Sequence, residues 1–164
     1  MPSLKDYAQL PRDERLARLE RMPEAITAAI RGRGDDVLAR RPDAKNWAAK
    51  EIVCHLRDLE DVFADRIRCI LTTTEPTLAG VDADRWAEER QYLRDDTTAA
   101  HAALTRRRSE SLTLFRGLAA DDWARAGVQE HGRGRRTVED LLTAMAWHDD
   151  NHLDQLRRAL DGKA

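Results

Sequence analysis

Apolar residues recur three and four positions apart in four long stretches of this chain, separated by clusters of Gly, Pro, Asp and Thr. That spacing predicts amphipathic helices. No alternating apolar and polar run of the kind a strand leaves is visible, and no internal repeat. The first helix is expected from about Asp13 to Ile30, with Leu16, Leu19, Met22, Ile26 and Ile30 along one face, and Gly32 and Gly34 end it. A short helical turn from Asp35 to Arg40 follows, and Pro42 separates it from the next long segment. The second helix is predicted from Trp47 to about Leu71 with Asn46 as its N-cap; its stripe is Ile52, Leu56, Leu59, Phe63, Ile67 and Ile70.

A long connection from Pro76 to about Arg90 comes next, with a short turn beginning near Asp84 to Trp86. The third helix, about Tyr92 to Leu118, carries Leu93, Ala100, Leu104, Ser111, Phe115 and Leu118 on a face that is unusually polar. Asp121 to Arg136 forms a second long connection, flexible and basic by its Gly132, Gly134 and three arginines. The fourth helix opens on Thr137 as N-cap with Asp140 three residues on, and ends at Gly162. The pattern is that of an all-α four-helix bundle with long crossover loops, one domain over residues 1–164.

Composition narrows the class. Hydrophobic residues make up 41% and charged residues 35% of the 164, which suits a helical core with wet outer faces and excludes both disorder and membrane spanning. Lys and Arg total 28 against 30 Asp and Glu, so no overall field attracts nucleic acid or an anionic membrane. The N-terminus carries acids too early for an export signal, and a cytoplasmic location is expected. Cys54 and Cys69 are fifteen residues apart on one predicted helix, about 22 Å along its axis, so they are expected as free thiols.

The chemistry rests on histidines. His148 and His152, four apart beside the stripe of Val138, Leu141, Leu142, Met145, Leu153, Leu156 and Leu160, stand one turn above the other and can converge on one ion. His55 occupies the edge of the second helix's stripe. Three inward imidazoles are costly to bury without a shared ligand, and a divalent metal removes that cost. Three nitrogens leave coordination positions open, as in catalytic sites. Asp149, between the two helical histidines, is a candidate general base or a support for a ligand, or else a salt-bridge partner for an arginine of the third helix. The run His148-Asp149-x-x-His152 parallels the His-Glu-x-x-His of zinc peptidases with one methylene less, which does not make a protease. Arg107 and Arg108 can clamp an anionic cofactor or substrate, or pair with Asp58, Glu60 or Asp149. Arg133, Arg135 and Arg136 meet an anionic cofactor or are solvated surface. His101 and His131 are not expected as ligands. A carboxylate-bridged di-iron centre is excluded, because it needs Glu-x-x-His pairs that the chain lacks.

Three segments, NWAAKEIVCHLRDLEDVFADRIR (46–68), DRWAEERQY (84–92) and EHGRGRRTVEDLLTAMAWHDDNHLDQL (130–156), resemble the DinB/YfiT-like superfamily of metal-dependent enzymes in their landmarks and spacing. The resemblance spans most of the chain. It implies a four-helix bundle with a long crossover, one divalent ion, zinc or nickel, on His55, His148 and His152, and a homodimer. It also implies a small-molecule substrate and, as in relatives that use mycothiol or bacillithiol, a low-molecular-weight thiol as co-substrate. Ala48 departs from the Ser or Thr that often caps the second helix there, a role that falls to Asn46. A thiol transferase or hydrolase is one reading; a non-catalytic dimeric module that binds a metal or small ligand is the other, and the same three ligands serve both.

Overall fold

The computed structural model describes residues 2–130 and 134–164. Its elements in order are α1 (Leu4–Ala8), α2 (Arg12–Ile30), α3 (Asp35–Leu38), α4 (Ala49–Thr72), β1 (Thr77–Leu78), α5 (Ala83–Glu89), a 3-10 turn (Tyr92–Arg94), α6 (Thr97–Arg116), a second 3-10 turn (Ala120–Ala124), β2 (Ala126–Gln129), β3 (Gly134–Thr137) and α7 (Val138–Leu160). The long helices α2, α4, α6 and α7 form a four-helix bundle, as the stripes predict.

Around the bundle, α4 packs on α6 and α7, and α2 packs on the same two from the other side. Ion pairs and hydrogen bonds step along α2 and α7 together, Arg12 with Glu139, Arg15 with Thr143 and Arg18 with Asp150, so these two run parallel. Contacts of α2 with α6 run in opposite sense, Leu19 with Arg108 and Pro23 with His101. Core composition makes α4 and α6 parallel: Ile52 shares a cluster with Leu104, and Ile67 shares one with Phe115. Consecutive parallel helices require a crossover, and residues 73–96 supply it.

The loops hold a three-stranded sheet that the sequence pattern does not show. β1 pairs parallel with β2, Thr77 opposite Val128, and β2 pairs antiparallel with β3, Ala126 opposite Thr137. The sheet joins both long connections. A Cβ on Gly127 would lie 2.7 Å from the Pro76 carbonyl oxygen, so only glycine lets β1 approach β2 this closely. The expected flexible, basic segment is thus partly a hairpin; His131 and Arg133 lie outside the described residues.

Two boundaries and one added element differ from expectation for local reasons. Asn46 does not cap α4: its backbone N–H and side-chain amide donate to Asp43. Ala48 takes the N-cap position, and Glu51 accepts its N–H at 2.9 Å while holding Arg41. α6 starts at Thr97 because Asp96 accepts the Ala99 N–H. α1, absent from the expected elements, begins with a reciprocal cap of Ser3 and Asp6 and docks through Tyr7, whose hydroxyl donates to Asp150 at 2.5 Å.

Candidate metal centre

Two apolar clusters fill the bundle, one with Phe63, Ile67, Phe115 and Leu142, the other with Ile26, Ile52, Leu104 and Leu156. Between them α4 and α7 carry a polar layer. On α4, His55 lies between Ile52 and Leu59 and is buried; on α7, His148 and His152 lie between Met145 and Leu156 and are half-buried. α4 and α7 run antiparallel, so this single level brings the three rings together.

The Nε2 atoms of His55 and His148 face each other at 3.0 Å. One donor nitrogen from each of the three rings falls within 4.8 Å of the others, so His55, His148 and His152 would together hold a divalent ion. His152 Nδ1–H donates to the amide oxygen of Gln155 at 2.8 Å, which leaves its Nε2 lone pair open. His55 Nδ1 is buried without a hydrogen-bond partner. Burial, and then the neighbouring imidazoles His152 and His148, push the His55 pKa down to about 2. Burial and then His148 push that of His152 down to about 3. Both rings are therefore neutral at physiological pH, the form that binds metal. The donor set and its protonation fit a divalent ion.

Aromatic rings hold the triad in place. Trp47 lies 4.9 Å from His55 and, near-parallel, 6.3 Å from His152, while Phe63 meets His148 edge-on at 6.1 Å. The triad forms part of the wall of an open cavity of about 770 Å³, within the range of small-molecule sites. α1, α5 and the sheet complete its mouth, through Lys5, Ala83 and Arg136 among others.

The remaining candidates take other places. Asp149 is buried, and its Oδ2 accepts from Arg108 Nη1 at 2.6 Å; its Oδ1 stands 3.8 Å from His148 Nδ1. Burial alone would raise its pKa, but Arg108 and His148 outweigh that and hold the carboxyl below its usual range. Of the two roles expected for Asp149, the salt bridge to the third long helix is formed. Arg108 does not reach the cavity: it is buried, with Glu60 on its Nε and Nη2 and Asp149 on Nη1. Arg107 donates to the Arg57 carbonyl and pairs with Asp61, again away from the cavity lining. Of the two roles expected for these arginines, pairing with acids is the one formed, inside the bundle for Arg108 and at its surface for Arg107. His101 Nε2 lies 2.9 Å from the Pro23 carbonyl, and His101 is not one of the three converging imidazoles. Both cysteines are free thiols. Gln155 and Lys45 are not among the residues the sequence singles out; the spacing of Gln155, three after His152 on one helix face, is the signal that could find it.

The family model of the DinB superfamily matches residues 18–156. The chain belongs to the DinB superfamily. A relative from Oceanobacillus iheyensis, named "Putative metal-dependent hydrolase OB0413", is 21% identical over 155 residues, covering 92% of this chain and 86% of the relative. One from Geobacillus thermodenitrificans, named "Putative metal-dependent hydrolase", is 22% identical over 143 residues, covering 87% and 80%. Among solved structures, YfiT from Bacillus subtilis, described as a probable metal-dependent hydrolase with an unusual four-helix bundle topology, matches with a TM-score of 0.85 at 21% identity, over 93% of this chain and 89% of its own. That likeness establishes the shared fold. Among the described residues no helix is long and apolar enough to cross a membrane.

Proposed function

We propose that this DinB-superfamily protein is a metal-dependent enzyme that acts on a small molecule in the cavity beside His55, His148 and His152. The observation that carries the reading is the convergence of three imidazoles on the wall of an open, ligand-sized cavity. A divalent ion held there, zinc or nickel, lowers the pKa of water or of a thiol that it binds, so that a nucleophile exists at neutral pH. This chain's residues do the rest: Gln155 keeps the proton of His152 on Nδ1, and Trp47 and Phe63 fix the ring planes.

The names of the relatives favour hydrolysis, with water as nucleophile. A second reading, in which a low-molecular-weight thiol attacks an electrophile, has support in the acid–base inventory. Asp149, the sequence's candidate general base, is committed to Arg108, Asp140 at the cavity accepts the Thr137 backbone N–H, and the remaining carboxylate of the lining, Asp84, is solvent-exposed. A thiol, with a pKa of about 8.5 when free, needs less help from a protein base than water does. In both readings the protein works as a homodimer in the cytoplasm.

Metal content of untagged protein and of His148→Ala tests the site. The parent should retain about one ion per chain and the variant little; equal metal in both sinks the reading. Incubation of the loaded enzyme with a panel of thiols and monochlorobimane, beside a panel of activated esters and amides, then separates the two nucleophiles. Full metal occupancy with neither activity would point to a non-catalytic binding module.

A further inference from the structure

The cavity carries a charge opposite in sign to that of the chain. Lys5 from α1, Lys45 from the segment before α4, Arg66 from α4 and Arg136 from β3 all line it. The carboxylates among its described lining residues are Asp84 and Asp140, and Asp140 is turned to the backbone N–H of Thr137. The whole chain has a formal net charge of -2. Arg66 donates to the Ala79 carbonyl at 2.5 Å and is anchored. Lys5, Lys45 and Arg136 have no carboxylate partner among the described residues, whereas Arg135, next along β3, pairs with Glu75. Four elements far apart in sequence thus bring cations to one opening. Leu59, Phe63, Leu141 and Trp147 give the same lining its apolar part, with the Arg66 guanidinium 5.9 Å from the centre of the Phe63 ring.

We propose that the cavity selects small amphiphilic anions, an aromatic or aliphatic body bearing a carboxylate, sulfonate or phosphate, with Lys45 and Arg136 holding the charge and the Phe63 and Trp147 wall the body. The inference rests on the cavity being the reaction site, and it names the class of molecule that site takes. Cations at the mouth of a cleft also raise the local concentration of an anion before it binds.

The test uses the full chain and two fluorescent probes of the same shape, 1-anilinonaphthalene-8-sulfonate and its neutral counterpart N-phenyl-1-naphthylamine, with metal measured in every sample. An exposed charge contact is worth a factor of about two to five. Reversal of two charges in Lys45→Glu/Arg136→Glu should therefore weaken the sulfonate roughly tenfold or more and leave the neutral probe within about twofold. Lys45→Gln/Arg136→Gln, the milder pair, should fall between. Phe63→Ala should weaken both probes. Equal affinity for the two probes, or sulfonate binding indifferent to the charge reversal in a variant whose circular dichroism is unchanged, overturns the proposal. Metal content keeps this separate from the metal reading. A charge preference that persists in metal-free His148→Ala supports the anion site even where metal chemistry fails; its absence in fully loaded parent protein overturns the anion site alone.

Discussion

Replacing Arg108 with methionine should cost about 3–5 kcal/mol, because one side chain serves three buried acceptors. Arg108 is 2% exposed. Its Nε and Nη2 donate to Glu60 Oε2 at 2.9 and 2.6 Å, and Nη1 donates to Asp149 at 2.6 Å and to the Leu19 carbonyl at 3.0 Å. That carbonyl lacks its helical donor because residue 23, four positions on, is proline. Glu60 Oε1 has no partner, so Glu60 depends on Arg108. The substitution leaves Glu60 and the Leu19 carbonyl without a donor and Asp149 with only the neighbouring His148, at a cost that is a large part of the usual net stability of about 5–15 kcal/mol. In thermal terms that is about 6–20 °C for a chain of this size.

Urea unfolding followed by circular dichroism at pH 7 and at pH 4.5 reads the effect. In the parent, the carboxyl of Asp149 titrates below its ordinary value. Its stabilising contribution is therefore present above the ordinary range near about 3.9 and is lost as pH falls through the depressed folded value. Without Arg108 the same carboxyl titrates high, takes a proton sooner and sheds its penalty, so the gap between variant and parent should narrow toward pH 4.5. Adding Glu60→Gln and Asp149→Asn to Arg108→Met should recover at least half the loss at pH 7. A cost below about 1 kcal/mol, the scale of a solvent-exposed pair, or a gap that does not change with pH, would refute the reasoning.

Gln155→Leu removes the acceptor that holds the His152 proton on Nδ1; metal affinity by chelator competition should fall about 10- to 100-fold, and an unchanged value would deny Gln155 an orienting role. His55 and His152 are held neutral by burial, at about 2 and about 3 against the ordinary imidazole value of 6.5. Metal-free protein should keep its full stability above about pH 6.5 and lose up to about 1.4 kcal/mol per pH unit for each extra proton the unfolded chain binds below it. A urea midpoint that stays flat from pH 7.5 to 5 would contradict this. Tyr7→Phe deletes the hydrogen bond to Asp150 and should loosen α1 by about 1.5–3 kcal/mol, read as faster amide exchange in residues 4–10 with α4 unaffected.

The bundle was legible because α2, α4 and α7 each bury a stripe three and four residues apart, and the triad was legible because its members sit at the edges of those stripes. What remained hidden was set by partners distant in sequence. β1 has two residues and β3 reads Gly-Arg-Arg-Thr, neither long enough nor apolar enough to leave an alternation; they pair because two connections meet at one end of the bundle. α1 has five residues and only Tyr7 buried. Pro23 should break α2 by its local chemistry, and the helix continues because Arg108, eighty-five positions later, takes the carbonyl the proline leaves free. Sequence offered Glu60 and Asp149 as acids for the arginine pair, and both take Arg108; Asp61, which takes Arg107, was not among those offered.

The same polar layer explains how the metal centre and the ion cluster depend on each other. His148 and Asp149 are neighbours on α7: His148 turns to the cavity and Asp149 to Arg108 on α6. Arg108 also reaches α2 through Leu19, and Glu60 brings in α4, so one guanidinium ties all four long helices at the level of the triad. The apolar clusters on either side exclude water from this layer, which makes the pairing strong and its loss costly. The histidines are consequently placed by helices whose mutual positions are locked one residue away from the ligands. Lys5, Lys45 and Arg136 at the mouth come instead from α1, a loop and an edge strand, none of which carries a ligand of the triad. Substitution at Lys45 or Arg136 should therefore alter what enters the cavity and leave metal affinity intact, while substitution at Arg108, which does not line the cavity, should disturb metal binding through the packing of α7.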